Sequence, residues 1–100
     1  MARQYRVHSH IDGTVTSHAT ADEALAAGRA YANAVVADPR AYAAAALAAG
    51  DHVAAAELAK YDLGGTEEGE DLDNTFIWGT WADGTEDLFP IAIVDELGRD

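Results

Sequence analysis

Thr75-Phe76-Ile77-Trp78-Gly79-Thr80-Trp81, followed by Ala82-Asp83-Gly84-Thr85 and then by the run Leu88 to Val94, is the stretch on which the fold turns. Two runs rich in aromatic and β-branched residues flank an Asp-Gly pair. Gly tolerates the left-handed backbone of a tight turn, so the pattern predicts a C-terminal β-hairpin. Pro90 falls inside the second run. It has no N–H to give to a ladder, which predicts a sheet edge or a bulge at that point.

Working outward, Tyr5, Val7 and Ile11 alternate with Arg6, His8, His10 and Asp12, the period-two pattern of a strand with one buried and one wet face. Asp12-Gly13 suits a tight turn, and Thr14-Val15-Thr16 a short return strand. The middle of the chain is helical. Thr20, three residues before Glu23, fits a capping box and predicts a first helix from about Ala21 to Ala37. Its face of Leu25, Ala32, Val35 and Val36, with Gly28 and Tyr31 beside them, is narrow enough to let another element approach closely. Asp38-Pro39 ends it and starts a second helix, because a first-turn proline loses no hydrogen bond. That helix ends at Gly50. Asp51 caps a third, roughly His52 to Tyr61, with Ala54, Leu58 and Tyr61 on one face and Gly64-Gly65 closing it. Strands at both ends with two to three helices between them predict an α+β fold, one antiparallel sheet with the helices on one face.

A chain of 100 residues makes one domain, 1–100, with one core. Of its 49% hydrophobic residues, 23 are Ala, which favours helix but buries little area. The absence of Cys excludes a disulfide framework and thiolate chemistry. Met1-Ala2-Arg3-Gln4-Tyr5-Arg6 lacks a signal-peptide core, and Ala41 to Ala49 is far short of a bilayer span. The expectation is a soluble, cytoplasmic protein, in its own cell or in an infected host.

Charge is the strongest functional signal. Residues 1–60 hold six acids against Arg3, Arg6, Arg29, Arg40 and Lys60, whereas residues 61–100 hold twelve acids against Arg99 alone, so nearly all of the net charge of -12 lies in the second part. Such a field repels nucleic acid and anionic membrane and attracts basic surfaces. Between Gly64 and Asn74 only Leu72 offers a large apolar anchor against Glu67, Glu68, Glu70, Asp71 and Asp73, which predicts a mobile acidic loop at about 64–74.

His8-Ser9-His10-Ile11-Asp12 is the one metal-like pattern. On a strand, residues two apart share a face, so His8, His10 and Asp12 would present two imidazoles and a carboxylate to one cation. The spacing resembles the motif that ends the first strand in amidohydrolase and PHP-type metal hydrolases. Those families add His and Asp ligands from later barrel strands, and here only His18 and His52 remain. The alternation itself reads as the solvated face of an amphipathic strand. Asp71-Leu72-Asp73-Asn74-Thr75 has the oxygens of a calcium loop, but Phe76 stands where the Gly turn is needed and Ala82 where the bidentate Glu is needed. Ser9 and Ser17 are the only serines and neither lies in a nucleophile elbow. Glu67 and Glu68 lack an apolar setting that would raise a carboxyl pKa for acid-base work. No catalytic residue, metal or cofactor is expected.

Phe76, Trp78, Trp81 and Phe89 read mainly as core, since base-stacking sites need a positive groove around them. Trp81, beside the Asp83-Gly84 turn, is expected to stay exposed as an interface anchor rimmed by acids. The acids themselves allow three readings: a solvated surface, adaptation to high internal salt, or carboxylates that stand in for phosphates on a basic protein groove. In size, charge asymmetry, α+β outline and lack of catalytic residues the chain resembles the small acidic counter-defence proteins of phages and plasmids, of anti-CRISPR and antirestriction type. That resemblance implies an inhibitor of a defence nuclease or CRISPR effector complex, without direct nucleic-acid or membrane binding. Glu67, Glu68, Glu70, Asp71 and Asp73 would then meet Lys and Arg of the target, with Trp81, Asp83, Glu86 and Asp87 as a second patch. The alternatives are an immunity protein or antitoxin against a basic nuclease toxin, a small metal-dependent enzyme built on His8, His10 and Asp12, and a salt-adapted housekeeping domain.

Overall fold

The computed structural model describes residues 4–71 and 74–97. The chain forms strands β1 (Gln4–Ser9) and β2 (Val15–His18), helices α1 (Ala21–Ala37), α2 (Pro39–Ala48) and α3 (His52–Lys60), and strands β3 (Leu63–Asp71), β4 (Asn74–Trp81) and β5 (Leu88–Leu97). Every strand pairing is antiparallel and the sheet order is β2-β1-β5-β4-β3. The α+β architecture therefore stands, with a hairpin at each end of the element order and helices on one face.

The helix starts follow from local chemistry. Thr20 Oγ1 accepts the Glu23 N–H at 3.1 Å, Asp38 Oδ1 accepts the Ala41 N–H at 3.4 Å, and Asp51 Oδ1 accepts the Ala54 N–H at 3.1 Å. Pro39 occupies the first turn of α2. Replacing Asp51 by Ala is expected to cost about 1 kcal/mol in chemical denaturation, because it removes a cap from a helix of only 9 residues. The third helix closes earlier than the Gly64-Gly65 pair suggests. Tyr61 turns extended at φ -117 and ψ 150, and Arg40 Nη1 donates to the carbonyls of Leu58 at 3.3 Å and Tyr61 at 3.0 Å. Both glycines belong to β3.

Helix α1 spans the sheet, contacting all five strands, and Gly28 marks the crossing. A Cβ there would lie 2.9 Å from Val94 Cγ2 and 3.1 Å from Ile77 Cδ1. The core around it joins Val7, Ile11, Val35, Leu58, Ile77, Phe89, Ile91 and Val94 to several alanines. Among the described residues no buried side chain is polar.

One expectation about strands is narrowed and another is corrected. The first concerns Pro90, placed by sequence at an edge or a bulge. Strand β5 is the central strand, and Pro90 stands at a bulge within it: Ile77 pairs with Ala92 while Trp78 pairs with Pro90. The extra residue, Ile91, and its neighbour Ala92 are both buried, as a bulge that doubles one face requires. Strand β1 ends at Ser9, paired with Ala92, so it provides no ladder partner opposite Pro90. The missing N–H is therefore harmless in the middle of the sheet.

The correction concerns the acidic segment. The predicted loop at 64–74 is strand β3 over most of its length, paired with β4 from Leu63 opposite Trp81 to Asp71 opposite Asn74 with one register shift between Leu63 and Gly65. Large side chains are not what anchors it. The backbone ladder does so from one side, and the Trp78 indole lies over Gly69, where an added Cβ would meet Cη2 and Cζ3 at 2.8 Å. A glycine covered by a cross-strand aromatic retains packing that its own side chain lacks. Leu72 and Asp73 lie outside the described residues.

Candidate interface for a basic partner

Strand β3 is an outer strand, and Glu67, Glu68, Glu70 and Asp71 run along it. Because side chains alternate, the register separates them. Glu68 and Glu70 stand opposite Ile77 and Thr75, on the helix side, while Glu67 and Asp71 stand opposite Trp78 and Asn74, on the open side. The acids form a ridge along an edge rather than one face. Charged side chains on an outer strand also discourage edge-to-edge pairing with a second copy.

Glu68 differs from its neighbours. Arg29, reaching across from α1, donates Nε to Oε2 at 2.7 Å and Nη2 to Oε1 at 2.8 Å. This fork holds the Glu68 carboxyl below its ordinary value and raises the Arg29 guanidinium. A lowered carboxyl contributes stability that is complete above its ordinary pKa of 4.5 and disappears as pH falls through the lowered value. Both side chains are substantially exposed, so solvent screening keeps the contribution small. Urea denaturation at pH 7 and pH 3 is expected to show a slightly smaller acid-induced loss for Glu68→Gln than for the parent chain. A larger loss in the variant would contradict the pairing.

Trp81, Asp83, Glu86 and Asp87 meet at the opposite end of β4. Gly84, at φ 84, closes the turn with its N–H on the Trp81 carbonyl at 3.2 Å. Asp83 Oδ1 accepts the Thr85 N–H at 2.9 Å and the Thr85 hydroxyl at 2.6 Å, which holds the Asp83 carboxyl below its usual range. Glu86 and Asp87 are exposed. Trp81 is half-buried rather than free: it packs edge-on against Tyr61 at 5.9 Å and Phe89 at 5.5 Å. Its accessible part walls a cleft of about 240 Å³ shared with Glu57, Tyr61, Asp83 and Thr85. Beside it runs a second groove lined by Asp51, Val53, Ala54, Glu57, Leu88, Phe89 and Pro90. Val53 is 70% exposed, Tyr61 45% and Leu88 39%. Apolar surface ringed by carboxylates is the composition of an interface centre with a charged rim.

Glu57, Tyr61, Val53 and Leu88 were not singled out from sequence. The signal was present as Val53, Glu57 and Tyr61 four residues apart, a spacing that puts neighbours on one helix face. It is masked because Tyr61 also follows, at helical spacing, Ala54 and Leu58 on the buried side of α3.

The His8, His10 and Asp12 set does not assemble as a strand face. Strand β1 ends at Ser9, so His10 and Asp12 lie in the turn beyond it. Ser9 Oγ accepts the N–H groups of Ile11 at 3.1 Å and Asp12 at 3.2 Å and lies 2.7 Å from the Tyr31 hydroxyl. Partial burial pushes the Asp12 carboxyl up, but hydrogen bonds from Thr14 and Ser9 outweigh it and leave it below its ordinary value. His8 instead faces the open side of the sheet, with Nε2 3.6 Å from Asp95 Oδ2, beyond hydrogen-bonding distance. Among the described residues no three His, Asp or Glu side chains gather as a metal site. No helix among them is long and apolar enough to cross a membrane.

Comparison with protein-family models, curated proteins and solved structures finds no match for this chain.

Proposed function

We propose that the chain is a non-enzymatic binding protein that covers a basic, nucleic-acid-binding surface of another protein, as an inhibitor of a defence nuclease or CRISPR effector complex would. The observation that carries this reading is the placement of the charge. Glu67, Glu70 and Asp71 are exposed along an outer strand, and Asp83, Glu86 and Asp87 are exposed at the β4–β5 turn. Two arginines that would offset them are engaged within the molecule: Arg29 on Glu68, and Arg40 on Asp62 at 2.9 Å. The exposed acids lie on both sides of the outer strand at irregular spacing, so what suits a basic groove is their local negative field rather than a matched spacing of charges.

The test is affinity capture from lysates of plausible host cells at low and raised salt. Recovery of one nucleic-acid-binding complex, lost as salt increases and displaced by duplex DNA, is the expected result. A partner that binds the chain and DNA simultaneously would overturn the inhibitor reading. An immunity protein against a nuclease toxin would rely on the same surface, and the identity of the captured protein separates the two.

A further inference from the structure

The cleft between α3 and the β4–β5 turn has the chemistry of a cation site. Tyr61 and Trp81 line it with ring centroids 5.9 Å apart and planes at 73°, and Phe89 supports the indole at 5.5 Å. Glu57 stands on one side and Asp83 on the other, with Asp83 fixed by its two hydrogen bonds from Thr85. Aromatic faces carry negative potential, so two rings and two carboxylates attract a cation and repel an anion. The Tyr61 ring already shows this preference, since Lys60 Nζ lies 5.3 Å from its centroid. Lys60 does not line the cleft itself but the adjoining hollow with Asp62, Ala82 and Asp83.

Size and shape narrow the occupant. About 240 Å³ is below the roughly 300 Å³ at which pockets for cofactors and drug-sized ligands begin, and suits one side-chain head. A guanidinium is planar, more weakly hydrated than an ammonium, stacks on aromatic rings and forks to carboxylates. We propose that this cleft binds a single arginine side chain presented by a basic partner protein, with the guanidinium against the Trp81 indole and Glu57 and Asp83 as its anionic partners. The source of the arginine rests on the binding function proposed above; the cleft's preference for it does not.

The probe is acetyl-Gly-Arg-Gly-amide, titrated into the ¹⁵N-labelled full chain while the Trp81 indole N–H resonance is followed. The same peptide with citrulline, which keeps the shape and removes the charge, and with Lys are the comparisons. The expected result is a saturable shift at millimolar peptide, no shift with citrulline, and at least threefold weaker binding of the Lys peptide. The double variant Glu57→Gln, Asp83→Asn keeps an acceptor for Thr85 and should weaken the Arg peptide at least fivefold while the chain stays folded, with at most a small fall in thermal midpoint from the weaker Thr85 contact. A Trp81 resonance that does not move, an equal response to citrulline or Lys, or unchanged binding by the double variant would overturn the site. A nucleic-acid-binding complex captured equally by parent and double variant would overturn the arginine anchor while leaving the broader function standing. Peptide binding with an empty capture would support the cleft and count against the inhibitor.

Discussion

Replacing Gly28 by Leu is expected to lower stability by about 2 kcal/mol, a fall in Tm of roughly 8 to 16 °C for a domain of this size. Leu is the better helix former by about 0.8 kcal/mol, so any loss must come from packing rather than propensity. The packing is already close: a Cβ alone would stand 2.9 Å from Val94 Cγ2, so Val94, a short branched side chain in the central strand, must shift to admit it. Ile77 Cδ1, at 3.1 Å, is the end of a longer chain and yields more readily. Gly28→Ala should therefore fall near zero, strain and propensity offsetting each other. In a Val94→Ala background the same change should stabilise, because the opposing methyl has been removed. Thermal and urea unfolding of the three variants tests the set. A Gly28→Leu chain as stable as the parent would mean that α1 does not cross the sheet at this height.

The helices were legible from sequence because their starts depend on local signals. Thr20, Asp38-Pro39 and Asp51 each fix a helix start through a side chain within three residues of the N–H it satisfies, and Gly28 sits within a run whose other small residues repeat with helical period. The β4–β5 hairpin was legible for the same reason, through Asp83-Gly84 between two aromatic-rich runs. Strand β3 was not. Its residues Gly64, Gly65, Glu67, Glu68, Gly69, Glu70 and Asp71 are individually poor strand formers, and what orders them is a ladder to β4 together with the Trp78 ring over Gly69. Both are cross-strand relations that no window along β3 contains.

The site was legible as residue types and not as surfaces. The acids were found, but the alternation that sends Glu68 towards Arg29, 39 positions away, and Glu67 to the opposite side depends on a strand assignment the sequence did not support. Trp81 was correctly paired with the Asp83 turn, whereas its contacts with Tyr61 and Phe89 arise from the return of β5 beside β4 and the end of α3 against both. The histidine motif failed for a simple reason. Alternation places side chains on one face only while the strand lasts, and β1 ends at Ser9, leaving His10 and Asp12 in the turn.

Converting Glu67, Glu70 and Asp71 to Lys together is expected to weaken partner binding at least 100-fold, a loss of about 3 kcal/mol, while leaving the fold intact. Three attractive contacts become three like-charge contacts against a basic surface, and such juxtapositions cost several kcal/mol when they are desolvated. The fold should tolerate the change because all three side chains are exposed on the outer strand and the β3–β4 ladder is made by backbone groups. Lys is itself a common edge residue, so protection against edge pairing is retained. Glu68 is left in place so that its fork with Arg29 persists and a loss of binding cannot be attributed to that contact. Capture at fixed low salt, with unfolding curves on the same samples, separates the two effects. Undiminished capture by a folded triple variant would move the interface away from β3 and towards the Trp81 cleft. Lost capture with an unchanged unfolding midpoint would place binding on the β3 ridge.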